Sequence, residues 1–321
     1  MKIIASLLCA ALAFASAEAA AQNWPNKPVR FIISTGGGTS PDRIGRIVAD
    51  RLSRDLGQSI VVDNITGGGG IIATRTAARA PADGYTLFFA GVSALVTDLF
   101  TIKDPGYDAD RDFEPISMIY EEGSLGIAVH PSVPAKTFPE FLALAKKEPG
   151  KLSYGTTSVN FIILFGRWIN KLASTEMLAV AYKSPAQQFQ DVLSGRIQMV
   201  ISSPPTLEPH MKAGKLRVLA VDGARRFPAW PEVPNISDSF PGFRLSGMGV
   251  MVAPRGTPQE VIRAAQRGME KIVNDKTYQD ALLTMGFTID GAGTPESIQK
   301  RVRERRDYWK QVFDGLAIKP E

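Results

Sequence analysis

Two glycine-rich turns contain the residues of this sequence best suited to hold a ligand. Turn one (residues 34–42) and turn two (residues 65–70) each follow a short apolar segment and precede a segment with helical periodicity. Glycine lets the backbone approach a ligand closely, and the free amides at the start of a helix favour an anion. The pattern therefore predicts a site for a small carboxylate or phosphate.

Most catalytic arrangements lack their residues. The sequence has two histidines, His130 and His210, in no metal-ligand spacing, and it has no G-x-S-x-G elbow. Neither turn is followed by the Lys-Ser/Thr pair of a phosphate-binding P-loop. Residues 68–73 match a G-x-G-x-x-A dinucleotide fingerprint, but the next predicted strand ends without the acidic residue that would bind a ribose. We expect no metal and no cofactor.

Paired carboxylates leave one enzymatic alternative open. Several acidic residues lie near the ends of predicted strands, and a secreted hydrolase could use two of them in a cleft. Nothing in the spacing pairs two of them specifically. These residues are Asp63, Asp83, Asp98, Glu121 and Glu122.

The N-terminus predicts secretion. A lysine precedes an apolar segment, residues 3–14, and three alanines at residues 19–21 form a small-residue cleavage site. We predict a signal peptide over residues 1–21, with cleavage after Ala19 as the alternative, and a mature protein in the periplasm. The single cysteine, Cys9, lies inside this segment. The mature chain would therefore form no disulfide and use no thiol nucleophile.

The charge pattern does not favour nucleic acid. The net charge is +5, and the basic residues are scattered except for a cluster at residues 301–306 that alternates with acidic residues. Such alternation is typical of a solvated helix face, and no basic stripe interleaved with aromatic residues is present. We expect no nucleic-acid partner.

Short apolar segments alternate with amphipathic ones from residue 29 to the end of the chain. Apolar runs of this kind are typical of strands buried on both faces, and the alternation predicts an α/β fold with parallel sheets. The predicted strands cover residues 29–33, 60–63, 86–90, 115–119, 125–129, 152–155, 177–181, 199–202, 217–221 and 247–252.

The number of strands predicts two lobes, because one domain of this class needs fewer. Two strand-rich stretches, residues 113–131 and 243–254, are explained if the chain crosses twice between the lobes. We therefore assign residues 22–123 plus 247–321 to lobe one and residues 124–246 to lobe two.

A series of short motifs runs in order along the mature chain. They include Trp-Pro-Asn-Lys-Pro-Val-Arg at residues 24–30, turn one itself, Pro-Ala-Asp-Gly-Tyr-Thr-Leu at 81–87, His-Pro-Ser-Val-Pro-Ala-Lys at 130–136 and Ala-Pro-Arg-Gly-Thr-Pro at 253–258. The ordered set resembles the substrate-binding proteins of tripartite tricarboxylate transporters, the Bug family. The resemblance covers essentially the whole mature chain.

The resemblance implies a type II-like, two-lobed periplasmic binding protein. Each lobe would be a mostly parallel sheet flanked by helices, with the ligand in the cleft between them. Such a protein closes on a small carboxylate and delivers it to a membrane permease with one large and one small subunit. The ligand contacts implied by position are Thr35, Gly36, Gly37, Gly38, Thr39 and Asp42 in turn one, Thr66, Gly67, Gly68, Gly69 and Gly70 in turn two, and Thr156, Thr157, Ser158, Tyr182, Lys183, Ser184, Pro185, Ala186, Ser202 and Ser203 in lobe two. Among these, Ser184 also has the position of a helix N-cap.

Departures from the family pattern bear on the ligand. Turn two has Ile65-Thr66 where the family usually has Arg-Pro, the turn at residues 156–160 is shorter than usual, and Ser202-Ser203 replace Asp-Asn. Fewer charged and more apolar groups would therefore line the cleft. This favours an aromatic or otherwise bulky carboxylate over a small amino acid, and a dicarboxylate stays open.

A different biological role is compatible with the same binding site. An extracytoplasmic sensor would bind the same ligand but signal to a membrane receptor, and the sequence does not separate it from a transport protein. We expect a monomer, as small solute-binding proteins usually are, although the sequence leaves a dimer open.

Overall fold

The structure, a computed structural model, describes residues 24–156, 160–182, 184–223, 226–245 and 247–320. The predicted signal peptide and three predicted contacts, Thr157, Ser158 and Lys183, lie outside the described residues.

The strands form two sheets. The six-stranded sheet has the order β11-β4-β10-β3-β1-β2 and contains β1 (Val29–Ile33), β2 (Ile60–Asn64), β3 (Thr86–Gly91), β4 (Phe113–Gly123), β10 (Gly247–Pro254) and β11 (Phe287–Thr288). The five-stranded sheet has the order β7-β6-β8-β5-β9 and contains β5 (Leu125–Val129), β6 (Ser153–Thr156), β7 (Leu178–Ala181), β8 (Met199–Ser202) and β9 (Arg217–Asp222). We call each sheet with its helices a lobe, the first lobe being the six-stranded one.

The two sheets are mixed and share one topology. In the first lobe β1 pairs in parallel with β2 and β3, and β10 lies antiparallel between β3 and β4, so β1 to β4 share a direction. In the second lobe β6 to β9 share a direction and β5 opposes them. In both lobes the opposed strand lies beside the third and fourth strands of the common direction. The predicted α/β class is confirmed, whereas the short β11 is absent from the sequence predictions.

Helices flank both sheets. In chain order they are α1 (Ser40–Leu56), α2 (Ile71–Ala78), α3 (Asp98–Thr101), α4 (Phe138–Lys147), α5 (Asn160–Ala173), α6 (Pro185–Leu193), α7 (Pro204–Lys212), α8 (Gln259–Val273), α9 (Lys276–Thr284) and α10 (Pro295–Gly315). Helix α1 illustrates why they form. Its buried residues Ile44, Val48 and Leu52 recur at helical spacing, Thr39 caps its start, and Gly57 ends it in the left-handed conformation.

The chain passes between the lobes at the end of β4 and before the start of β10. The lobes also touch away from these crossings, where α5 of the second lobe packs on α10 of the first. There Trp168 Nε1 donates to the Tyr308 hydroxyl at 3.1 Å. The residue boundaries that we assigned to the lobes stay a prediction.

Candidate functional site

Turn one and turn two lie side by side at the carboxyl edge of the first sheet. Because β1 and β2 are parallel neighbours, both strands end at this edge, and the Ile65 amide donates to the Ile33 carbonyl at 3.0 Å. Asn64 Nδ2 then donates to the Thr35 carbonyl at 2.9 Å. A Cβ placed on Gly36 would lie 3.9 Å from Thr66 Cγ2. The parallel pairing therefore brings together the two turns that the sequence singles out.

The buried side chain of Asp42 stabilises turn one. Its side chain is buried and accepts hydrogen bonds from the Gly38 amide at 2.8 Å and from Asn64 Nδ2 at 2.9 Å. Arg46 completes the arrangement with an ion pair at 3.0 Å. Burial alone would raise the pKa of Asp42, but these donors outweigh it and hold the pKa below its ordinary value. The structure therefore shows Asp42 in a positioning role within turn one, and the ligand contact that we predicted for it stays a prediction.

The residues of the two turns are open to solvent at their tips. Gly37, Gly38 and Thr39 are exposed, as are residues 66–69. All four glycines of turn two have positive φ, from +54° to +116°, which residues with side chains rarely adopt. The glycine run is therefore required by the backbone path of the turn, whatever it binds.

In the second lobe, the strand ends at the corresponding edge are tied together by hydrogen bonds. The Thr156 carbonyl accepts from the Tyr182 amide at 2.7 Å, and the Thr156 side chain is buried. The Tyr182 hydroxyl donates to Asp191 at 2.9 Å, and burial together with this bond raises the pKa of Tyr182 to about 12. The structure thus engages the Tyr182 hydroxyl inside its own lobe.

Helix α6 begins at this edge with the predicted cap. The Ser184 side chain accepts from the Gln187 amide at 3.4 Å, and Ala186 is exposed. Gln188, one turn into α6, is buried and donates to the Gly155 carbonyl at 2.8 Å. This bond fixes the start of α6 against β6. Sequence analysis did not single out Gln188.

A cavity of about 310 Å³ lies between the carboxyl edges of the two sheets. The first lobe contributes Ser40, Val92 and residues 285–287 to its lining, and the second lobe contributes Ile162 and Ser203. Both crossings between the lobes also line it, at residues 123–125 and at Gly247. In open α/β sheets, ligands bind outside the carboxyl ends of the strands. This cavity is therefore the candidate site.

The sequence predictions identify only some of the residues that line the cavity. Ser203 is a predicted contact that lines it, and Ser40 lies within turn one, although it was not among the predicted contacts. Val92 comes directly after β3, so the rule for strand ends could have identified it. The wall formed by Met285 and Phe287 was missed, because β11 is too short to give a periodic signal.

Other cavities in the described part of the chain lie outside this cleft. One of about 370 Å³ borders α10 and β4, and its charged groups include the ion pair of Arg301 with Glu121. Another of about 640 Å³ lies beside α5 and the last residues of the chain. Neither is lined by the strand ends of both sheets.

The strand-end acids do not form a carboxylate pair in the described part of the chain. Each acid whose side chain is described has a partner of another kind, in the pairs Asp63 with Arg30, Asp83 with the Tyr85 amide, Asp98 with the Tyr107 hydroxyl, and Glu121 with Arg301. Among the described residues, no group of three or more His, Cys, Asp or Glu side chains could hold a metal ion. The geometry therefore gives no support to the hydrolase alternative.

Two lobes of one topology, joined by two crossings around a cleft, define the class of two-lobed solute-binding proteins. The profile described as the tripartite tricarboxylate transporter family receptor matches residues 44–316. The chain therefore belongs to that family. In the described ranges, no helix combines the length and apolar character needed to cross a bilayer.

Relatives and solved structures agree with this assignment. A UPF0065 protein of Bordetella bronchiseptica is 35% identical over 311 residues, which cover 96% of this chain and 91% of the relative. Protein BugT of Bordetella pertussis is 27% identical and covers 95% of this chain and 94% of its own. The structure of R. palustris Rpa4515 with adipate has a TM-score of 0.77 at 29% identity, covering 93% of this chain and 100% of its own.

Proposed function

We propose that this protein captures a small organic carboxylate between its lobes, closes on it, and delivers it to the permease subunits of a tripartite tricarboxylate-type transporter. The observation that carries the proposal is the cavity between the carboxyl edges of the two sheets, lined by both crossings. A ligand held there touches both lobes and therefore favours their closed arrangement.

The chemistry of the surrounding turns suits an anion. Helix α1 begins at turn one and helix α7 begins directly after Ser203, so the positive ends of both helix dipoles lie toward the cleft region. Serine hydroxyls at Ser40, Ser124 and Ser203 provide further donors within the lining. The similarity to Rpa4515, whose structure contains adipate, supports a carboxylate as the ligand.

The predicted contacts in turns one and two and at Ser184 belong to this proposal as the residues that surround the carboxylate, with Asp42 holding turn one in place through its own hydrogen bonds. The family's receptors are periplasmic, which supports the prediction that residues 1–21 are a signal peptide and that the mature protein acts in the periplasm. We propose that it acts as a monomer.

A thermal-shift screen tests ligand capture. The protein purified from the periplasm is heated with aliphatic and aromatic mono-, di- and tricarboxylates. A ligand at a hundredfold excess over its Kd stabilises the folded state by about 2.7 kcal/mol, so a saturable rise in Tm is expected for one chemical class. No rise with any carboxylate would overturn the proposal.

Uptake experiments separate transport from sensing. Cells lacking this protein should lose uptake of the radiolabelled ligand, and cells lacking the permease subunits should lose it to the same extent. Normal uptake in both strains, together with loss of a ligand-induced transcriptional response only when the binding protein is absent, would favour the sensor.

A further inference from the structure

The cavity in the interlobe cleft offers no charged side chain among its described lining residues. Its apolar walls come from Val92, Leu125, Ile162, Met285 and Phe287. Among the described lining residues, the polar side chains all belong to serines. An ionised group pushed toward the apolar walls would lose its hydration without gaining a counter-charge, which is costly.

Phe287, the aromatic wall of the cavity, is held in place by aromatic residues of the first-lobe core. The Phe287 ring packs on Tyr120 with a centroid separation of 4.5 Å, and Tyr120 packs in turn on Phe89 at 5.9 Å. Phe89 and Tyr120 are buried in the first-lobe core. Because Phe287 is anchored in this way, this wall of the cavity is fixed in place and stays apolar.

Ile162 contributes to the wall of the cavity from the second lobe. It lies in the first turn of α5, is half-buried, and packs against the core of the protein. A ligand between Ile162 and Phe287 would therefore contact both lobes through apolar surface. Each methylene buried in such a contact raises affinity about fourfold.

Resting on the proposed function, we infer that the ligand is a monocarboxylate with an apolar body, either an aromatic ring or a branched alkyl chain. The body fills the cavity between Ile162 and Phe287, and the single carboxylate lies at its serine-lined margin. Ile162 and Phe287 are then the residues that determine specificity. A dicarboxylate of similar length would place its second charge against these walls.

Calorimetric titration with three ligand sets tests this inference. The sets are apolar monocarboxylates (benzoate, phenylacetate and 4-methylpentanoate), dicarboxylates (adipate and malate) and acetate, which has a carboxylate but almost no body. We expect the best apolar monocarboxylate to bind at least about tenfold more tightly than any dicarboxylate and than acetate.

Two variants in α5 test whether the cavity wall determines the affinity for the ligand. Ile162→Ala removes part of the cavity wall, whereas Ile163→Ala removes the same atoms from the next half-buried position, which lines a different cavity. We expect Ile162→Ala to weaken binding of the apolar monocarboxylate about tenfold and Ile163→Ala to leave it unchanged. Thermal unfolding of both variants shows whether each is folded at the titration temperature.

The outcomes separate this inference from the function on which it rests. Tighter binding of adipate or malate than of every apolar monocarboxylate, or equal effects of the two variants, overturns the inference and leaves carboxylate capture standing. Failure of every carboxylate to bind the folded protein overturns the proposed function and the inference with it.

Discussion

Phe287 lies directly across the sheet from Gly123: the two residues are Cα partners of β11 and β4, and a Cβ built on Gly123 would lie 2.8 Å from Phe287 Cε1. Gly123 is the last residue of β4 before the chain crosses into the second lobe. Because glycine has no side chain, this position leaves room for the ring of Phe287, which forms the aromatic wall of the cavity.

Gly123→Ala should displace Phe287, because real Cβ atoms essentially never approach another atom so closely. Overpacking of this kind typically costs about 1–3 kcal/mol. Urea unfolding measures the loss. The control is Gly91→Ala at the end of β3, where a Cβ meets no atom within 4 Å, and it should change stability by less than about 0.5 kcal/mol. Equal losses in the two variants would contradict the role assigned to Gly123.

Gly286 connects the cavity to the contact between the lobes. Its carbonyl accepts from the Ser124 amide at 2.8 Å, and a Cβ on Gly286 would lie 3.1 Å from Pro205 Cδ and 3.2 Å from Pro204 Cδ. Gly286→Ala should therefore push the start of α7 away and weaken ligand binding. We expect about a tenfold rise in Kd in calorimetry, equivalent to about 1.4 kcal/mol.

Gly150→Ala is the matched control for Gly286→Ala. Both glycines have positive φ, +73° and +83°, so both substitutions should cost about 1–2 kcal/mol of stability. A Cβ on Gly150 meets nothing within 4 Å, and this residue lies before β6, at the edge away from the cleft. Ligand affinity that falls equally in both variants would show that backbone strain, and not the lobe contact, matters.

The carboxyl edges of the sheets could be predicted from sequence, but the walls of the cavity could not. The segment at residues 29–33 was predicted as a strand and forms β1. Turns that follow parallel neighbours must meet at one edge, so the proximity of turns one and two follows from the pattern. The position of Phe287 depends on Gly123 and Tyr120, which are distant in the chain, and no local signal encodes that packing.

Asp42 also shows, at a single residue, which contacts could not be predicted from the sequence. Its i,i+4 spacing from Arg46 is visible in the sequence, but its bond to Asn64 depends on the register between β1 and β2. When the register is unknown, a carboxylate beside a glycine turn suggests a ligand contact. Once the register is known, the Asp42 carboxylate is seen to be occupied by hydrogen bonds from Gly38 and Asn64 and by the ion pair with Arg46.

Asp42→Asn should destabilise the protein at pH 7 by about 1–3 kcal/mol, because an amide cannot accept all the hydrogen bonds that the carboxylate accepts. The folded-state pKa of Asp42 lies below the ordinary value of 3.8, so its ionised form stabilises the fold above that pH. This contribution is lost as the pH falls through the folded-state pKa. Urea unfolding from pH 7 to pH 3 should therefore show the gap between wild type and variant narrowing below about pH 4.

Asp314→Asn is the control for the pH series. Asp314 is exposed on α10 and pairs with Lys310 at 2.6 Å, and such surface pairs contribute little to stability. Its unfolding free energy should follow that of the wild type across the range. A gap for Asp42→Asn that stays constant with pH would contradict the ionised role of Asp42.

Ser184→Ala should reduce both stability and ligand affinity. Removing the N-cap of α6 costs about 0.5–2 kcal/mol, and we expect the freed amides to move away from the carboxylate. Thr137→Ala removes an equivalent cap from α4, which follows the opposite end of the sheet. Chemical unfolding should give similar losses for both variants, and calorimetry should give weaker binding for Ser184→Ala alone. Unchanged affinity in Ser184→Ala would remove Ser184 from the proposed site.

The central claim is that the interlobe cleft recognises a carboxylate. Its most direct test is a calorimetric titration of the periplasmic protein with the best acid from the screen and with the primary amide of the same acid. The amide keeps the shape and loses the charge, so we predict saturable one-to-one binding of the acid and binding of the amide at least about tenfold weaker. Equal affinity for both compounds, or no binding of any carboxylate, would contradict the claim.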